Sequence, residues 1–269
     1  MKLFKLFVLF FLFFPFFSFA QQEQWDTYMA KFAGKPGSIM VDLGLQEKAP
    51  DKLYPYLVIT GPKTVNCDHQ GLPDKDQINA MEEILDASSN FITGITAKKL
   101  TGTFTCNCER LNYYYVKDTV SIRNALQRMY ARSFPNYEYV LKMKLDKEWK
   151  TYRTFLYPTE NDQIWMENNK LLTGMIAKGD SLIKIRPIQF VANFTKDSMR
   201  NLFINDIAAA GFITKIANDS MLSNYPYLAM ITQTIYPKIE IIDSINVIIK
   251  NTAQKYKGIY NGWSSPIIK

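Results

Sequence analysis

Apolar and polar positions alternate most clearly in the middle of the chain. Leu100, Gly102, Phe104, Cys106 and Cys108 interleave with Lys99, Thr101, Thr103, Thr105, Asn107 and Glu109. A period of two predicts a strand with one buried face and one wet face. Leu111–Val116 predicts an aromatic partner strand, and Glu138–Leu145 another, with Leu141, Met143 and Leu145 inward. Before these, Trp25, Met29 and Phe32 sit at helical spacing and predict a short helix over 25–32. Residues 38–49 and 54–63 read as two strands joined at Pro50-Asp51, with a polar loop following over 66–73. The helical spacing of Ile78, Met81, Leu85, Ser88, Ile92 and Ile95 predicts a helix over 74–94, and that of Ile122, Leu126 and Met129 one over 120–132. Residues 151–157 read as a further strand.

A helix over 161–178, stopped by Gly179, then acts as a connector spanning 159–186. Beyond Pro187 the pattern restarts. Ile188, Phe190, Ala192 and Phe194 alternate as a strand, and Thr195 stands as N-cap of a helix over 196–210. Strands over 212–217 and 227–235, a helix over 240–256 and a strand over 259–268 complete the order β-α-β-β-α-β, which is ferredoxin-like. The expected fold is α+β in two domains, 21–158 and 187–269, each an antiparallel sheet with helices on one face.

The first twenty residues change the picture. Lys2 and Lys5 precede an uncharged, Phe-rich stretch from Leu6 to Phe17, and Ser18 and Ala20 form a small-residue cleavage site. This predicts a signal peptide over 1–20 and an exported protein, periplasmic or secreted, starting at Gln21. Later apolar stretches around 225–235 and 239–249 are too short for a span and carry Gln233, Glu240, Asp243 and Asn246. The full chain has 32 Lys and Arg against 25 Asp and Glu; removing the two leader lysines leaves 30 against 25, a net charge of +5. The basic residues are scattered rather than gathered on one run, so no nucleic-acid partner is expected.

Candidate chemistry is sparse. His69 is the only histidine, which excludes a histidine-based triad or a multi-histidine zinc site within one chain. No nucleophile elbow, P-loop or dinucleotide fingerprint occurs, and Asp74, Asp76, Glu82 and Glu83 read as the wet side of a helix. The expectation is therefore no catalytic, cofactor or metal site. In an oxidising compartment the three cysteines offer a Cys67–Cys108 bridge, a Cys67–Cys106 bridge or none, and Cys106 with Cys108 could instead be a redox pair. Tyr113 and Tyr115, with Trp263 after Gly262, are candidates for an interaction surface as well as for core.

Several stretches resemble a known family. W-D-T-Y-M (25–29), K-P-G-S (35–38), Y-P-Y-L-V-I-T-G (54–61), D-H-Q-G-L-P (68–73) and C-E-R-L-N-Y-Y-Y-V (108–116) are similar to the bacterial DUF695 family, a domain of unknown function, over about 23–158. The Ala209-Ala210-Gly211-Phe212 helix end and the closing Gly258–Trp263 resemble the family of the ribonuclease E inhibitor RraB, about 187–269. That resemblance implies a ferredoxin-like fold. Such domains usually close with Y-D-G-W-E, whereas this chain carries Asn261 and Ser264 at those carboxylate positions. An exported protein cannot meet a cytoplasmic ribonuclease, so the fold carries over and the partner does not. The expected function is a non-enzymatic binding or regulatory module whose partner is an envelope protein or polymer. The alternative is an envelope enzyme or a thiol-redox module using the Cys106/Cys108 strand.

Overall fold

The computed structural model describes residues 23–218 and 224–269; the predicted signal peptide lies outside the described residues. The first sheet has six strands: β1 (Trp25–Phe32), β2 (Lys35–Asp42), β3 (Tyr56–Lys63), β4 (Lys98–Cys106), β5 (Glu109–Val116) and β6 (Glu138–Leu145). They lie in the order β1-β2-β4-β5-β3-β6, every neighbouring pair antiparallel. The second sheet contains β7 (Arg186–Phe194), β8 (Ile213–Asn218), β9 (Tyr227–Ile235) and β10 (Ile259–Ser264), ordered β10-β7-β9-β8. Both are antiparallel α+β layers, as the alternation predicts.

On one face of the first sheet lie α1 (Lys75–Thr93) and α2 (Ile122–Ser133), which bury Ile84, Ile92, Leu126 and Met129 against Val58, Tyr114 and Val116. The Asp74 carboxylate caps α1 by accepting the Gln77 N–H at 2.8 Å. The opposite face is closed by a short 3-10 turn over Leu43–Lys48 and a π-turn over Tyr152–Leu156, which pack with Trp149 on Ile39, Val41, Leu57, Tyr113 and Tyr115. β5 is thus covered on both sides. That is why three consecutive tyrosines can all be buried.

Several expectations change, among them Leu145, which is exposed at the end of β6 rather than inward. Residues 25–32 form an edge strand, not a helix. Residues 38–49 end as a strand at Asp42, whose carboxylate accepts the Gly44 N–H and starts the 3-10 turn. Residues 151–157 form the π-turn because Asp146 accepts the N–H groups of Lys150 and Thr151 at 2.8 and 3.0 Å, coiling the chain there. Thr195 does not cap α4 (Asp197–Ala209); Lys196 holds that position without a side-chain bond.

Helix α3 (Glu160–Ala177) joins the two halves physically. A capping box between Thr159 and Asp162 starts it. Its Met166 belongs to the first core, while Leu172 and Met175 belong to the second with Phe190, Phe203, Ile231 and α5 (Ile239–Lys255).

Candidate functional site

The three cysteines are resolved by a reversal of the chain. Asn107 and Cys108 both take positive φ, 52° and 64°, so β4 and β5 meet in a two-residue hairpin turn of the primed type. Cys108 therefore leaves the strand face that the alternation assigned to it, and the expected single strand through Glu109 is corrected. Its Sγ is bonded to Cys67, with the Cα atoms 5.7 Å apart. The loop around Cys67 clasps the turn, the Cys108 N–H donating to the Gly71 carbonyl at 2.8 Å and the Thr64 N–H to the Cys108 carbonyl at 2.9 Å. Cys106 is a buried free thiol, and burial pushes its pKa up. Such a thiol is shielded rather than poised for exchange. His69 is exposed in the clasping loop, and no group of three or more metal-ligating side chains occurs among the described residues.

Tyr113 and Tyr115 are corrected as surface residues. They are 5% and 0% exposed, and Tyr115 donates its hydroxyl to Asp146 at 2.7 Å while stacking on Trp149 at 4.1 Å. Trp263, 9% exposed, is also no projecting anchor. It forms part of the floor of a cleft on the second half of the molecule.

That cleft, about 660 Å³, runs between α3 and β10. Glu160, Ile164, Glu167 and Leu171 form one wall, at the three- and four-residue steps of a single helix stripe. Six successive residues, Gly258 to Trp263, form the other. The cleft continues past Leu171 and Trp263 into a smaller apolar groove of about 280 Å³ beside Gly174, Lys178 and Ile267. Across α3 lies a third cavity, about 450 Å³, which shares Gln163 and Glu167 and reaches Gln24 and Tyr157 of the first half.

A polar network holds the cleft floor in shape. The Trp263 Nε1–H and the Asn246 Nδ2–H both donate to Asn168 Oδ1 at 2.7 Å, and the Tyr260 hydroxyl donates to Asn246 Oδ1. Asn261 donates to Asn193 Oδ1 at 2.5 Å. Burial raises the Tyr260 phenol, so its hydroxyl stays protonated and donating across the physiological range. Asn261 and Gly262 together face Val191 alone, a bulge in which Gly262 takes φ 92°. Each residue of the Tyr260–Trp263 stretch thus has a distinct structural task.

One polar cluster had no signal in the sequence. Lys98 donates to the Ser89 carbonyl at 2.5 Å and to its hydroxyl, and lies 4.9 Å over the Tyr114 ring. Burial lowers its pKa to about 8. Ser89 and Lys98 sit on a helix and a strand, and only the fold brings them together.

Comparison with known proteins divides the chain in the same way. Residues 23–157 match the model of a family of unknown function (DUF695), and residues 165–265 match that of regulator of ribonuclease activity B (RraB). The second match begins inside α3, five residues after the helix starts. No curated protein matches the chain. A crystal structure of an unknown protein from Galdieria sulphuraria aligns with 79% of this chain and 99% of its own, at 8% identity and a TM-score of 0.21, too slight a likeness to bear on the fold.

Proposed function

The chain belongs to the DUF695 family, and from its fusion to a regulator-like second half we propose a non-enzymatic, exported protein-binding regulator of the cell envelope. The observation that carries this reading is the cleft along α3. It is large, and it is walled by a helix stripe in which Ile164 and Leu171 alternate with Glu160 and Glu167, and by strand backbone. The polar groups of its floor are amides, a phenol and an indole bonded to one another, and the charges in its lining are Glu160, which pairs with Lys250, and Glu167. Such a floor presents shape rather than reactive groups.

Export is supported by the basic-apolar-small leader over 1–20 and by the disulfide, which suits an oxidising compartment. Among the described residues no helix is long and apolar enough to cross a membrane. The matched families are one of unknown function and one of regulators. The rival redox reading loses its pair, since Cys108 is bonded to Cys67 and Cys106 is buried.

The test is affinity capture from native cell envelope with the mature chain, residues 21–269, as bait. A partner retained at fixed stoichiometry and released by mature chain added in solution supports the reading. Retention of nothing by folded bait removes it.

A further inference from the structure

We propose that the α3–β10 cleft takes an extended peptide segment of a partner protein, laid along the free edge of β10 with its apolar side chains against α3. This rests on the protein-binding reading above and names the partner's chemistry.

The first observation is the lining itself. Side chains of a strand alternate between two faces, so a lining that takes in the consecutive residues Ile259 to Trp263 brings the backbone edge of β10 into the cleft. Among the described residues β10 is hydrogen-bonded to β7 and to no other strand, which leaves outward N–H and C=O groups along the cleft. An edge of this kind is complemented by another extended backbone. The Asn261–Gly262 bulge shortens the ladder, which blunts pairing between copies of the chain and shifts recognition towards side chains.

The second observation is size. α3 has 18 residues, so the wall is about 27 Å long at 1.5 Å per residue. An extended peptide of about eight residues spans it. Leu171 and Ile267, 48% and 41% exposed, face the joined clefts and offer apolar contact to alternate peptide side chains.

Charge then gives the segment its polarity. Lys170 and Lys178 flank the narrow end, and neither has an ion-pair partner among the described residues. At the wide end stand Glu167 and Glu160, the latter held by Lys250 at 2.8 Å. The fitting peptide is apolar in alternation, with an acidic residue for the lysine end.

The test uses the mature chain and a displayed library of random eight-residue peptides, followed by calorimetry on synthesised winners. Gly174→Phe places a ring in the narrow groove at a position where the Cβ meets no atom within 4 Å, and its melting temperature checks that the fold is kept. Leu171→Glu serves as the second variant. Enrichment of peptides with alternating apolar residues and an acidic end, bound at least about tenfold more weakly by both variants at unchanged melting temperature, is the expected result. No enrichment, or binding indifferent to both variants, overturns the proposal. An envelope partner captured equally by wild type and Gly174→Phe also overturns it, while leaving the broader binding reading intact.

Discussion

Trp263 donates its indole N–H to Asn168 Oδ1 at 2.7 Å, and by that bond the last strand of the second sheet grips the helix that both cores share. Asn168 is 3% exposed, and its Oδ1 also receives the Asn246 amide. Asn168→Leu removes the acceptor and strands two buried donors. A buried donor left without a partner costs about 1–3 kcal/mol. The variant is therefore expected to lose about 2–4 kcal/mol in urea unfolding, whereas Trp263→Phe, which removes a donor from an acceptor that keeps Asn246, loses less. Equal stability of Asn168→Leu and wild type would show that the network does not tie α3 down.

The disulfide joins residues 41 apart, and closing a loop of that length stabilises by about 4 kcal/mol in the chain-entropy model. Cys67→Ala with Cys108→Ala is expected to lose most of this, read in denaturant unfolding as a lower midpoint with a steeper slope, because the unfolded chain without the cross-link exposes more surface. Cys106 in wild-type protein is expected to react with a thiol reagent only as fast as the protein unfolds, since it is buried and its thiol is pushed up by desolvation. Fast labelling of the folded chain would return the redox reading to consideration.

Much of this fold is legible in the residues, and the failures have physical causes. In β7, Ile188, Phe190, Ala192 and Phe194 all point to the core because only one face is covered, so period two survives. β1 is an edge strand in which Tyr28 alone is fully buried, and because the apolar Met29 sits on its exposed side, Trp25, Met29 and Phe32 mimic a helix by coincidence of spacing. Tyr113 and Tyr115 looked like surface candidates because a strand buried on both faces carries no polar face to betray it. The closing Tyr260–Trp263 stretch stands out in the sequence, but its role does not, since its partners Asn168, Asn193 and Asn246 lie 14 to 95 residues away and only folding collects them. The cleft is likewise a product of two distant segments.

Asp180 and Arg186 form an ion pair with both side chains fully buried, and the Asp180 carboxylate also accepts the Ile268 N–H at 2.9 Å, fastening the C-terminal segment. The Arg186 hydrogen bond holds this carboxyl well below the usual carboxylate range, against the opposing effect of burial. A depressed folded pKa means the unfolded chain binds its proton first, near pH 4. The stabilisation is thus present above about pH 4 and is lost progressively as pH falls towards the folded value. Asp180→Asn is expected to destabilise by about 3–5 kcal/mol at pH 7, because the Arg186 charge stays buried without its partner. The gap from wild type should narrow as pH falls below about 4, as measured by urea unfolding at each pH.

Two glycines of this chain are expected to answer alanine in opposite directions. Gly61 lies in β3, between β5 and β6, and a Cβ there would stand 2.0 Å from the Arg110 carbonyl oxygen and 2.9 Å from the Leu111 Cα. Both are backbone atoms of a central strand, so relief requires spreading the sheet rather than turning a side chain. Overpacking of this kind costs about 1–3 kcal/mol or somewhat more, and Gly61→Ala is expected at the upper end. Gly174 lies within α3, where a Cβ meets nothing within 4 Å, and alanine there only removes backbone freedom from the unfolded chain. Gly174→Ala is expected to stabilise by about 0.5–1 kcal/mol. Paired melting curves of the two variants decide the matter. If Gly174→Ala destabilises, the groove beside it is closed in solution and the opening between α3 and the C-terminal segment is not a standing feature of the fold.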